Sequence, residues 1–259
     1  MLHIGYMKFI NIFPLFWNLE QNPEYKFFYG VPSDLNGIMQ KDGLDASPVS
    51  SLEYMNRPEK YIILNGIGIC AKNKVKSVIL QSDCPIEELD GKRIYLTGQS
   101  LTSAYLLRII MDKFYNVAPE YAEHRQPGDA YLLIGDQALK SYYESKTKYT
   151  YDLAELWHKH TGLPFVFSLW LISAGAEEKP EIKILYENLL RISLTVHEKA
   201  DFYAEQYLLR DAAFSKSQLT DYWRTLYYTI GDAEIKGLEL YYKMLGYAPK
   251  WRYYNQGGV

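Results

Sequence analysis

Cysteine is scarce. Among 259 residues there are 2 cysteines, Cys70 and Cys84, and they form no Cys-x-x-Cys pair. That excludes a disulfide scaffold and a cysteine metal site, and makes a reducing cytoplasm the natural setting. An excess of one charge is lacking too: 28 Lys and Arg face 31 Asp and Glu, for a net charge of -3. With no basic block, nucleic acid is not an expected partner. No uncharged apolar run of about 18 residues occurs, so no membrane span is expected. The apolar start MLHIGYMKFINIFPLFWNL lacks the basic lead and the small-residue cleavage site of a signal peptide, and Lys8, Asn11 and Pro14 interrupt it. It reads as a first core strand turning into a helix. Familiar catalytic signatures are also missing. There is no GxSxG and no HExxH, and Gly66-Ile67-Gly68 lacks the third glycine of a dinucleotide site. His158 and His160, two apart on a predicted helix, face different sides and cannot share a metal, so no metal site is expected.

What is present is apolar and aromatic. The chain is 48% hydrophobic and 15% aromatic with 25 Tyr, enough for a large core in one domain or two lobes. The organising stretch is Arg93 to Met111. Ile94, Tyr95 and Leu96 read as a short buried strand that Gly98 breaks. Ser100, Leu101, Thr102 and Ser103 then open a helix whose apolar positions, Leu106, Leu107, Ile109 and Ile110, recur at helical spacing. A helix start carries unpaired N–H groups and partial positive charge, so hydroxyls placed there suit a carboxylate or phosphate. An ordinary Ser/Thr cap uses the same residues.

Strands are expected at Leu2 to Met7, Tyr25 to Tyr29, Leu44 to Val49, Tyr61 to Leu64, Gly68 to Lys72, Val75 to Leu80, Tyr121 to His124, Tyr131 to Ile134 and Phe165 to Ile172. Helices are expected at Leu35 to Gln40, Gln137 to Tyr143 and Tyr151 to His160, and everything from Pro180 to Gly246 reads as helix. The strand–helix alternation predicts an α/β fold in two lobes with a cleft between them. Residues 1–82 plus 173–259 would make the first lobe and 83–172 the second. Chain crossings near Val78–Ser82 and Phe165–Ile172 would act as the hinge. Ligands in such folds bind at the carboxyl ends of strands. There stand Asn11, then Ser47, Ser50 and Ser51, then Ser100, Thr102 and Ser103, and finally Asp136. Taken singly, each reads better as a turn or cap. Four clusters at equivalent positions together point to a small anionic ligand rather than a metal ion or a nucleotide.

The pattern resembles the chorismate dehydratase family of the futalosine route to menaquinone. The likeness lies in Gly5 through Phe16 with Asn11 and Pro14, in Gly43 through Tyr54 with its Ser-Pro-Val-Ser-Ser run, and in Val75-Lys76-Ser77-Val78 with Ser82. It continues in Ser100-Leu101-Thr102-Ser103, in Ile134 through Leu139, and in Tyr151 through Trp157. Thr161-Gly162-Leu163-Pro164-Phe165-Val166-Phe167 with Trp170 completes it. The resemblance implies a type II periplasmic-binding-protein-like fold used as a cytoplasmic enzyme, a monomer or homodimer that needs no cofactor. It implies loss of water from chorismate to give 3-[(1-carboxyvinyl)oxy]benzoate. It places the family's catalytic Asn on Asn11 and implies substrate contacts from Ser50, Ser51, Ser82, Ser100, Thr102, Ser103 and Asp136. The Tyr and Thr often flanking that Asn are Phe9 and Ile12 here. A solute-binding protein for a small anion shares the fold. So does the sister enzyme dihydroxynaphthoate synthase, but its Cys-Pro-Asn motif has no counterpart in Ile10-Asn11-Ile12-Phe13-Pro14.

Overall fold

Strand β1 (Leu2–Tyr6) puts Leu2, Ile4 and Tyr6 on one buried face. In the computed structural model, which describes residues 1–98, 100–122, 128–144 and 147–254, it seeds a six-stranded sheet. After β1 a single 3₁₀ turn (Ile10–Ile12) leads into α1 (Phe13–Leu19), with Pro14 in the first turn, where its missing N–H costs nothing. β2 (Tyr25–Tyr29), α2 (Pro32–Gln40), β3 (Ala46–Ser50), α3 (Ser51–Asn56) and β4 (Tyr61–Ala71) follow. β5 (Val78–Ser82) and β6 (Arg93–Tyr95) precede α4 (Leu101–Ile109), whose axis continues as a π-helical turn (Ile110–Tyr115). Then come β7 (Glu120–Ala122), β8 (Ala130–Ile134), α5 (Gly135–Glu144), β9 (Tyr149–Asp152), α6 (Leu153–Thr161) and β10 (Phe165–Ser173). The chain closes with α7 (Pro180–Ser193), α8 (Ala200–Leu208), α9 (Lys216–Thr225), β11 (Leu226–Thr229) and α10 (Asp232–Met244).

The first sheet has the order β11-β4-β10-β3-β1-β2 and the second β7-β6-β8-β5-β9. β1 runs parallel to β2 and β3, and β10 antiparallel to β3 and β4. In the second sheet β6 is parallel to β7 and β8, whereas β5 is antiparallel to β8 and β9. The expected α/β architecture is therefore present.

Its details differ from the sequence reading in instructive ways. β5 hydrogen-bonds into the second sheet and β10 into the first. This moves both expected lobe boundaries: the chain passes between sheets after Ala71 and again after Thr161, ahead of the strands that had been read as crossings. β4 is one strand where two were expected. Gly66, at φ +76°, bulges it without ending it, a conformation glycine adopts cheaply. Asp152 closes β9 and caps α6, accepting from Ala154 N–H at 2.9 Å and Glu155 N–H at 3.2 Å, so the segment read as helix from Tyr151 begins as a strand. β11 interrupts the all-helical C-terminal reading by pairing with β4. Ser51–Asn56, for which no helix is expected from the sequence, is helical with five of its residues buried. Of the expected strand Tyr121 to His124, residues 123 and 124 lie outside the described residues.

Candidate active site

The carboxyl ends of β1, β3, β6 and β8 meet between the sheets, and each is followed by a turn or helix start. After β1 the backbone of the Ile10–Ile12 turn is held at three points. Ile10 N–H donates to Asp136 Oδ1 at 3.0 Å, Trp223 Nε1 donates to the Ile10 carbonyl at 2.9 Å, and Tyr228 Oη donates to the Asn11 carbonyl. Ile10 and Ile12 turn into the core. Asn11 lines a cavity between the sheets, and among the described residues its Oδ1 is buried without a hydrogen-bond partner. An acceptor left so costs about 1–3 kcal/mol, which an occupant carrying a donor would remove.

After β3, Ser50 lines the cavity and pairs with the Thr102 hydroxyl. After β6, Ser100 caps α4. Its Oγ accepts from Ser103 N–H at 3.3 Å and lies 3.2 Å from Ser103 Oγ, and both serines line the cavity. After β8, Gly135 opens α5 at φ +66° and donates its N–H to the Ser77 carbonyl at 2.8 Å. A Cβ on Gly135 would stand 3.3 Å from the Phe9 ring, so only glycine permits this approach without displacing the ring. Pro32 brings the first turn of α2 to the same space. Helix starts on several sides thus supply partial positive charge. Phe9, Phe167, Ile134, Val78, Ile69 and Met7 supply apolar wall. Among the described residues lining the cavity none is Asp, Glu, Lys, Arg or His. A small anion there is met by hydroxyls, amide N–H groups and dipoles rather than by a counter-charge.

The expected site residues fall into three groups. Asn11, Ser50, Ser100 and Ser103 line the cavity together. Ser51 and Thr102 sit directly behind it, committed to the protein. Ser51 Oγ donates to the Val166 carbonyl at 2.9 Å, and Thr102 Oγ1 accepts from Leu52 N–H at 3.0 Å. Tyr242 and Tyr241 of α10 clamp their carbonyls, at 2.6 and 3.1 Å. Asp136 likewise reaches the Asn11 turn rather than the cavity, and burial pushes its carboxyl up to about 6 against the opposing effect of the Ile10 N–H. Ser82 lies apart. β5 is antiparallel to β8, so the carboxyl end of β5 pairs with Ala130, at the sheet end remote from Gly135. There Ser82 Oγ closes a turn with Cys84, donating to its carbonyl and accepting its N–H at 3.1 Å.

The same antiparallel strand hides two lining positions that sequence reasoning missed. Val75 and Ser77 precede β5 and reach the cavity from its amino end. Ser77 Oγ accepts from Tyr222 Oη at 2.7 Å. Ser168 lines the cavity from within apolar β10, its Oγ donating to the Val49 carbonyl at 2.8 Å. A Ser in the middle of an otherwise apolar run, Phe165 to Ile172, was the available signal. Among the described residues no group of three or more His, Cys, Asp or Glu is placed to hold a metal ion.

Two linked sheets with a cavity at their facing strand ends define a two-lobed, binding-protein-like class. Solved structures agree with this. An Archaeoglobus fulgidus protein superposes with a TM-score of 0.72 at 17% identity, covering 95% of this chain and 96% of that one. The periplasmic aliphatic sulphonate binding protein SsuA of Escherichia coli superposes at 0.62 and 16% identity, covering 93% and 91%. Within that class the chain belongs to the menaquinone biosynthesis family, whose model matches residues 2–247. Chorismate dehydratase of Thermus thermophilus is 30% identical over 210 residues, 72% of this chain and 74% of that protein. Chorismate dehydratase of Campylobacter jejuni is 32% identical over 173 residues, 63% and 64% of the two chains.

Proposed function

We propose that this chain is a chorismate dehydratase, a cytoplasmic carbon–oxygen lyase that converts chorismate to 3-[(1-carboxyvinyl)oxy]benzoate and water. The observation that carries the reading is Asn11, whose Oδ1 is buried and unpartnered, lining a cavity with hydroxyls and helix starts and, among the described residues, no charged side chain. Chorismate brings two carboxylates and one hydroxyl, which are complementary to donors of that kind and to one orphan acceptor.

The elimination takes a proton from the ring carbon that bears the ether oxygen. The C–H electron pair becomes the new ring π bond, and the hydroxyl on the adjacent carbon leaves with a proton as water. Aromatisation drives the step, so the protein need not supply a strong acid or base. Its tasks are orientation and exclusion of bulk water. Asn11 holds the departing hydroxyl or the neighbouring carboxylate, while Ser50, Ser100 and Ser103 with the α4 start hold a carboxylate. The substrate's own enolpyruvyl carboxylate takes the proton, in keeping with a cavity wall free of ionisable side chains among the described residues. An analogue lacking that carboxylate should bind weakly and turn over slowly. Full activity on it would refute this step.

A second reading, a small-anion binding or sensor protein, is favoured by the likeness to a sulphonate-binding protein. Incubating the purified chain with chorismate and following absorbance separates the two. An aromatic product that grows with many turnovers supports the dehydratase. Stoichiometric binding with no new chromophore supports the sensor.

A further inference from the structure

We infer that Asp136 is a positioning residue: its carboxylate, at the start of α5 directly after β8 of the second sheet, holds the Ile10–Asn11 turn that follows β1 of the first so that the Asn11 amide faces the cavity. The role of Asn11 in turnover rests on the dehydratase reading; the hold itself does not.

Four observations carry the inference. Asp136 Oδ1 accepts from Ile10 N–H at 3.0 Å, and Ile10 is 1% exposed, so that N–H has no water to turn to. The other fixed groups of the turn, the Ile10 and Asn11 carbonyls, are held by Trp223 and Tyr228, which belong to α9 and β11. Asp136 alone among these three comes from the second sheet. Among the described residues the Asn11 Oδ1 has no hydrogen-bond partner to hold it in place, so its aim depends on those backbone contacts. Finally, Gly135 packs against Phe9, which docks the start of α5 on the residues leading into the turn.

The consequence is a coupling. The Ile10 N–H is satisfied when the sheets are together, and separating them strips it. Asn11 is therefore aimed in the closed arrangement, in which the cavity is also lined from both sides. Because Asp136 is not itself a lining residue, its loss should misplace Asn11 without removing a substrate contact.

The test uses Asp136→Ala and Asp136→Asn in the full chain. The Asn variant keeps an acceptor at the same atom and drops the charge. Hydrogen exchange at Ile10 N–H reads the hold without reference to any reaction. Protection should fall at least roughly tenfold in Asp136→Ala and survive in Asp136→Asn. With chorismate, Asp136→Ala should lower kcat about 30- to 100-fold with KM within about threefold, the scale of a small misplacement of one catalytic group. Asp136→Asn should recover to within about fivefold of wild type. Unchanged Ile10 protection in Asp136→Ala overturns the inference. So does a KM rise at constant kcat, which would make Asp136 a substrate contact, or an Asn variant as poor as the Ala. If the wild-type chain itself fails to dehydrate chorismate while Ile10 exchange behaves as described, the dehydratase reading falls and the hold stands.

Discussion

Asn11→Asp isolates the chemistry of one amide. The turn that carries Asn11 is fastened through the Ile10 N–H, the Ile10 carbonyl and the Asn11 carbonyl. None of these bonds uses the Asn11 side chain, so the substitution leaves every fastening in place, and at low pH, where the introduced carboxyl is neutral, the variant should melt close to wild type. Its effect on the ligand should be large. It removes the NH₂ donor, a loss of about 1–3 kcal/mol, and puts negative charge beside a dianion in a wall that has no counter-charge among the described residues. Two unit charges about 4 Å apart at an effective dielectric near 20 repel by about 4 kcal/mol, so the charge outweighs the lost donor. We expect kcat/KM to fall at least roughly 100-fold. The sign with pH follows. Burial raises the introduced carboxyl above its free value, and as pH falls it becomes neutral and the repulsion ends. The variant should thus regain activity relative to wild type between about pH 8 and about pH 5. Steady-state kinetics across that range, with melting curves alongside, decide the matter. A folded variant within a few-fold of wild type at every pH would refute the reasoning.

Thr102→Val should remove the acceptor for Leu52 N–H and the partner of Ser50, costing about 1–3 kcal/mol in thermal or chemical denaturation, because a buried N–H is left unpaired. An unchanged midpoint would show that Thr102 does not tie the two sheets. Ser82→Ala should leave KM and kcat within about twofold, since its hydroxyl turns back on Cys84 at the remote end of β5, and a large KM rise would return it to the site. Asp136 provides a pH signature of stability. Burial, helped by the nearby Asp211 charge and opposed by the Ile10 N–H, lifts its folded pKa to about 6, above the unfolded value of about 3.9. Its contribution is therefore fully present below about pH 4 and is lost as pH rises through about 6, a difference of up to about 3 kcal/mol. Against wild type, Asp136→Asn should gain stability on going from low to neutral pH, as read by denaturant unfolding. A gap that does not change with pH would contradict this.

The cavity was legible where a parallel strand hands over directly to a helix. Ser50 at the end of β3 and Ser100 and Ser103 after β6 stand in that way, because strand–turn–helix punctuation is local. Strand direction is not local. Nothing near Val78–Ser82 says that β5 runs against β8, and this one fact both removed Ser82 from the site and brought in Ser77. The support of Asn11 was likewise hidden, since it comes from Asp136, Trp223 and Tyr228, each more than a hundred residues away along the chain. β11 escaped notice because four residues, Leu-Tyr-Tyr-Thr, are too few to show a period against flanking helices. β9 escaped because its last residue, Asp152, doubles as a helix cap.

The central claim is that the cavity around Asn11 removes water, and nothing else, from chorismate. Mass spectrometry and carbon-13 NMR on the products of a reaction with catalytic amounts of the purified chain test it most directly. The account predicts a single product lighter than chorismate by one water, a benzoate that keeps its enolpyruvyl ether at the position meta to the carboxylate. Loss of pyruvate in place of water, or chorismate recovered intact after binding, would contradict it.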